Sequence, residues 1–366
     1  MRDQFDTPDG IYLLSHSVGL PFSDIATVLG ERYLAPWQKR SSSVWNEWLQ
    51  ITDDFRQAVA ALIDVNASEV CPQPNVSAGL SKLLYALPAL KRRQTIVLSE
   101  HAFPSLAYVF QRGKDAGFNI KMIPKGLDAK NPEVWADAID GDTGLVLITQ
   151  VHSNTGEQLP VKALCEVARR AGVISVVDTA QSTGILPVEP TAWGADCVLG
   201  SCVKWLCGGP GAGFLWLREP LIHDATPVDV GWFSHADPFE FDIHKFRYAD
   251  DALRFWGGTP AVASSAIASH AIRRILTMGI ETIRHHNLAL TQRLIDALDD
   301  KSLYSPRHPQ HRSGTVIVDL DQCAPSAQAR LTAAEIQYDE RRHGIRLSPH
   351  IYNSESDIDT LIDCLT

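Results

Sequence analysis

One lysine constrains this chain more than any other residue. Lys204 stands between a short apolar run at 197–199 and a stretch rich in glycine, with Gly200 before it and Gly208, Gly209, Gly211 and Gly213 after it. A lysine held where a buried strand gives way to a tight loop loses solvation. Its pKa then falls, and the neutral amine becomes available for nucleophilic or Schiff-base chemistry. On this stretch alone, a solvated lysine on a strand-to-helix loop fits as well, since charged residues are mostly exposed.

A second stretch decides between those readings. The run VISVVDTA at 173–180 is a strand pattern whose apolar residues end in Asp178, and Lys204 follows 26 positions later, after one more strand pattern. In an open parallel sheet both would stand at the carboxyl ends of neighbouring strands, where ligands bind. A carboxylate there can hold a pyridinium nitrogen, and a lysine there can join an aldehyde; pyridoxal phosphate needs those two groups.

With these residues in view, the sequence resembles the class V aminotransferases, within the fold-type I pyridoxal phosphate enzymes, and especially their kynureninase-like branch. The matching pieces are SHSVGLP at 15–21, HAFPS at 101–105, SNTGEQLP at 153–160, VVDTAQS at 176–182 and SCVKWLCGGPGAGFLW at 201–216. GWFSH at 231–235, RFWGGTP at 254–260 and IRLSPHIYNSESDID at 345–359 continue the series in the same order. The resemblance implies an α/β chain of fold-type I architecture. A large domain at 36–255 would carry a mostly parallel, seven-stranded sheet, with a smaller C-terminal α+β domain at 256–366 and an N-terminal arm at 1–35.

The patterns along the chain agree with that plan. GLVLIT at 144–149 is continuously apolar, as a strand covered on both faces must be. VKALCEVARRAG at 161–172 is the amphipathic crossover that follows it. From Ala261 a long helical pattern runs on, broken near Gly279. Strand and helix patterns then alternate to a terminal helix beginning near Ser356. Trp37, Trp45 and Trp48 precede an amphipathic helix and suit a core or a dimer contact.

Residue by residue, the resemblance assigns roles that elementary chemistry supports to different degrees. Lys204 is the amine that joins the cofactor aldehyde and later moves the α-proton. Asp178 keeps the pyridine nitrogen protonated. Val76 and Ser77 open a helix whose free N–H groups suit a phosphate, though a plain serine cap there would read the same way. Ser201 adds to that phosphate site, and Phe103 stacks on the ring. Asn154 and Gln181 face the phenolic oxygen. Ser17 and Arg346 approach the substrate, the arginine through its planar fork on the α-carboxylate. Trp232, Gly258 and Thr259 reach the neighbouring subunit's site, so a homodimer with shared active sites is implied.

Composition narrows the alternatives. The formal net charge of −10 argues against nucleic acid or an anionic membrane as a partner. Seven cysteines without a CxxC pair indicate free thiols in a reducing compartment and no metal site. The N-terminus has no signal pattern and no run approaches a membrane span, so a cytoplasmic enzyme is expected, with an amino acid as its small-molecule substrate.

Three outcomes remain for the chemistry. Transamination needs only proton movement by Lys204 and leads narrowly. Kynureninase-type hydrolysis, which breaks the substrate's Cβ–Cγ bond, is favoured by GWFSH and Phe103, but Gln181 and Val203 stand where kynureninases carry a histidine and a tyrosine. Desulfuration needs a mobile cysteine shortly before the arginine strand, and the nearest, Cys323, is 23 positions ahead of Arg346. A sensor that binds the cofactor without turning it over would lack any appended basic arm here.

Overall fold

The apolar runs of the first two-thirds of the chain assemble into one sheet. The computed structural model describes residues 1–39 and 42–366. After β1 (Ile11–Tyr12), the strands β2 (Val70–Gln73), β3 (Thr95–Ser99), β4 (Asn119–Ile123), β5 (Thr143–Thr149), β6 (Ile174–Asp178), β7 (Cys197–Ser201) and β8 (Gly213–Leu217) follow in chain order. The last seven of these lie in the order β2-β8-β7-β6-β5-β3-β4. Only β8 runs against its neighbours, pairing antiparallel with both β7 and β2. The mostly parallel, seven-stranded sheet expected from the sequence is therefore present.

Alternation along the strands explains why both faces are covered. Val146, Ile148, Val177 and Val198 point into one hydrophobic cluster. Leu145, Leu147, Val176, Cys197 and Leu199 point into a second cluster on the opposite face. Crossover helices such as Val76–Ala86 and Val161–Arg170 supply the covering layers. Gly200 is required by this packing, because a Cβ there would lie 2.1 Å from the Phe214 ring.

Beyond the sheet, Val262–Met278 and Ile280–Asp296 form two helices hinged at Gly279, whose φ is +84°. The first packs its buried face on the helix Val44–Ile63. A third hydrophobic cluster then gathers β9 (Val316–Val318), the short helix Ala327–Ala333, β10 (Ile336–Gln337), β12 (Gly344–Leu347) and the terminal helix Glu355–Leu365. β11 (Asp339–Arg341) is the edge of a three-stranded antiparallel sheet in the order β11-β12-β9. The N-terminal arm is stitched to this region, since β1 pairs in parallel with β10.

Candidate active site

Parallel strands end together, so whatever follows them is presented along one edge. Asp178 closes β6 and Ser201 closes β7, the adjacent strand, with Lys204 three residues on. Phe103 follows β3 and caps the helix Pro104–Gly113. Val76 and Ser77 start the helix after β2. These residues, with Gln181, line one cavity of about 200 Å³.

Electrostatics in the cavity are set by burial. Asp178 is 4 % exposed and accepts the Ala180 N–H at 3.0 Å. Burial raises its pKa, against the pull of that N–H and of Lys204. Lys204 is lowered to about 8, first by burial and further by Arg346, although the Asp178 carboxylate pushes it up. For both groups the loss of water outweighs mutual attraction. The amine is thus closer to its neutral, nucleophilic form than a solvated lysine would be, and burial weighs more on the carboxylate than its attraction to Lys204. Lys204 Nζ sits 5.4 Å from the centre of the Phe103 ring.

The helix start is arranged for an anion. Asn75 caps it, accepting the Ala78 N–H at 2.9 Å through its side chain, while the Ser77 hydroxyl donates to the same oxygen. The N–H groups of Val76 and Ser77 belong to the first turn and have no intrahelical acceptor. Nearby, the Thr149 hydroxyl at the end of β5 is buried on the cavity wall without a partner. A lowered amine, a buried carboxylate two strand-widths from an aromatic ring, a helix start and an orphaned hydroxyl together fit a pyridoxal phosphate group.

Arg346 stands at the rim. Its guanidinium, 5 % exposed, donates from Nη1 to the carbonyl of Ser153, which lines the cavity. Its other edge is taken by Asp339, with Nε donating to Oδ1 at 2.8 Å and Nη2 to Oδ2. Burial acts to raise Asp339, but hydrogen bonds from His16 and Arg346 outweigh it and hold the carboxyl far below the usual range. No role of their own was legible in the sequence for Asp339, His16, Thr149 and Ser153, although the last three lie in stretches that stood out.

The remaining expected residues lie elsewhere in the protomer. Asn154 is next to Ser153 in the loop after β5, but Ser153 is the one in the cavity lining. Ser17 turns back on the arm, its N–H donating to Leu14, and the arm is pinned over the lysine where Gly19 N–H donates to Val203 at 2.8 Å. Trp232 lines a separate hollow of about 330 Å³, and Gly258 and Thr259 line another of about 250 Å³.

With the geometry in place, the comparisons with known proteins agree with it. The model of the family described as "Aminotransferase class-V" matches residues 29–361. The chain belongs to the class V aminotransferase family. Among its curated relatives, an uncharacterized aminotransferase, YcbU, of Bacillus subtilis is 28 % identical over 320 residues, covering 87 % of this chain and 84 % of that protein. A kynureninase of Deinococcus radiodurans is 31 % identical over 307 residues, covering 81 % and 73 %. In solved structures, a mutant of the cystine C–S lyase C-DES with glycine covalently linked to its PLP cofactor superposes with a TM-score of 0.88. It shares 21 % identity and covers 99 % of this chain and 98 % of its own. A cysteine desulfurase from Thermococcus onnurineus gives a TM-score of 0.85 at 22 % identity, covering 97 % and 93 %. These superpositions establish the fold-type I architecture of this class V protein.

Proposed function

We propose that this class V protein is an aminotransferase that takes an L-amino acid at the Lys204 cavity, with pyridoxal 5'-phosphate as its cofactor. One observation carries the choice of reaction: among the described residues lining the cavity, the only ionisable side chains are Lys204 and Asp178. Bound there, the cofactor supplies an electron sink for a carbanion at the substrate's α-carbon. Lys204, with a pKa near the working range, is the base that takes the α-proton and returns it to a neighbouring carbon. Asp178 keeps a proton on the ring nitrogen. Val76, Ser77 and Ser201 hold the phosphate, Phe103 covers the ring, and Gln181 with the Asn154 loop faces the phenolic oxygen. Arg346 takes the substrate carboxylate, with Ser17 at the mouth.

A homodimer completes the site in this reading. Trp232, Gly258 and Thr259 do not reach the Lys204 cavity of their own protomer. Trp232 stands beside an apolar surface on which Phe241 is 70 % and Ile243 91 % exposed, a patch a second copy would cover. Among the described residues no helix is long and apolar enough to cross a membrane, and we place the enzyme in the cytoplasm.

Kynureninase-like hydrolysis is the second reading. The series of rings from Trp45 through Trp232 to Phe239 and Phe241 favours it, because such a wall suits an aromatic side chain. Desulfuration is disfavoured, since none of the seven cysteines lines the cavity.

The test is an absorbance spectrum of the cofactor-loaded protein mixed separately with L-alanine and with L-kynurenine. Single bleaching of the visible band by an amino acid, restored by a 2-oxo acid, supports the aminotransferase. Steady release of anthranilate from kynurenine would replace it with the hydrolase.

A further inference from the structure

Arg346 is expected to meet the substrate's carboxylate, yet its guanidinium already holds one. An arginine has five N–H groups and two edges able to grip a carboxylate, one formed by Nε with a terminal nitrogen and one formed by the two terminal nitrogens. Asp339 occupies the first edge through both of its oxygens. The Ser153 carbonyl takes one N–H of Nη1 at 3.3 Å. One N–H on each terminal nitrogen remains.

Asp339 does not hold that position unaided. It lies on the edge strand β11 with its side chain 26 % exposed, where a carboxylate would otherwise turn to water. His16, 1 % exposed, binds its Oδ1 through Nε2 at 2.8 Å. An ionised carboxylate only accepts, so Nε2 carries the proton. Burial lowers the His16 pKa against the pull of Asp339, which favours the neutral ring, and in that ring Nδ1 accepts. The Ser348 hydroxyl at 2.7 Å must then donate to Nδ1, and the Thr315 hydroxyl at 2.8 Å must donate to Ser348. With the neutral ring, the run Thr315, Ser348, His16, Asp339, Arg346 has one consistent set of donors and acceptors. The run is also tied to the cavity, because the Gln181 amide donates to the His16 carbonyl at 3.2 Å.

We propose that Asp339, gripped by His16, is a positioning residue for the substrate carboxylate: it claims the Nε edge of Arg346 and offers the substrate only the two terminal nitrogens. This rests on the reading of Arg346 as the carboxylate site. The N-terminal arm, remote in sequence from both partners, then contributes to substrate binding through His16 without touching the substrate.

The experiment is a spectral titration of the cofactor-loaded protein with L-phenylalanine and with 2-phenylethylamine, which differs by lacking the carboxylate. Asp339→Asn is expected to weaken phenylalanine about tenfold, the size of one lost charge-assisted hydrogen bond, and to change the amine by less than about twofold. His16→Phe should do the same, and His16→Gln, whose amide can donate to Asp339, should restore it. These two variants decide the matter if Asp339→Asn fails to fold. Equal losses for acid and amine would show a merely structural role. Unchanged or tighter phenylalanine binding would overturn the proposal, the latter by showing that Asp339 competes with the substrate. Arg346→Met, run alongside, separates the two layers: if it leaves the preference for the acid intact, the carboxylate assignment itself is at fault. Turnover with a 2-oxo acid, which decides the reaction type, is not read in this titration.

Discussion

The Lys204 amine and the Phe103 ring meet across two intervening strands. Lys204 follows β7 and Phe103 follows β3, with β6 and β5 between them, yet Nζ lies 5.4 Å from the ring centre. The two therefore bracket the space above Asp178. An aromatic face there contributes about 0.5–1.5 kcal/mol of offset stacking to a planar ligand. Phe103→Ala is expected to weaken cofactor binding about two- to twelvefold, and Phe103→Tyr to leave it nearly unchanged. Titration of the cofactor-free protein with pyridoxal phosphate measures both.

Lys204 has a pKa lowered to about 8, chiefly by burial. Only the neutral amine attacks an aldehyde, so the rate of cofactor uptake by the cofactor-free protein should rise with pH and level off above about 8. Because the Asp178 carboxylate pushes that pKa up, Asp178→Asn should move the midpoint to lower pH. A midpoint close to 10.5, the ordinary lysine value, would mean that Lys204 is solvated and the cavity is not what it is taken to be.

Asp178→Asn separates capture from chemistry. Uptake of the cofactor by Lys204 should persist, because the amide fills the same space. Turnover should fall by about a hundredfold or more, the usual cost of removing a charge aimed at the reacting system. Single-turnover bleaching of the visible band by an amino acid reads the chemical step directly. A variant that bleaches at the wild-type rate would remove Asp178 from the reaction.

Legibility in the sequence followed local pattern. Asp178 and Lys204 stood out because a charge at the end of a continuously apolar strand is out of place, and the strands themselves were long enough to show their period. The loop after β5 has no period, so nothing local distinguishes Asn154 from Ser153, the residue in the cavity lining. His16 and Asp339 were silent for another reason. They are 323 positions apart, and their bond exists only because β1 pairs with β10 and carries the arm past β11. The hinge at Gly279 was visible, whereas the packing of the helix before it on Val44–Ile63 required the fold.

The Thr149 hydroxyl is buried on the cavity wall with no hydrogen-bond partner. In the cofactor-free protein it carries the desolvation cost of an unmet polar group, about 1–3 kcal/mol. Thr149→Val keeps the shape and removes that cost, so the cofactor-free variant should be at least as stable as the wild type in a urea titration. The cofactor-loaded variant should gain less or lose stability, because the hydroxyl would then have a partner. Equal shifts in both states would mean that Thr149 has no part in holding the cofactor.

Lys82 supplies a test of the link between subunits. Its side chain is buried, and its ammonium donates to the carbonyls of Phe255, at 3.0 Å, and Trp256, with Asp229 at 3.7 Å. It thus clamps the segment that leads into Gly258 and Thr259 to the loop that leads into Trp232. Lys82→Met leaves two carbonyls unmet and should cost about 2 kcal/mol or more in urea unfolding. If Gly258 and Thr259 reach the other subunit's cofactor phosphate, the same variant should also weaken cofactor binding, although Lys82 lines no part of the Lys204 cavity. Mixing it with a Lys204→Ala subunit makes the point sharper. In a mixed dimer the intact Lys204 belongs to the Lys82→Met subunit, so its site receives a well-held segment from the Lys204→Ala subunit and should bind the cofactor tightly. A mixed dimer that binds as weakly as the Lys82→Met homodimer would place the effect within one subunit and remove the segment from the shared site.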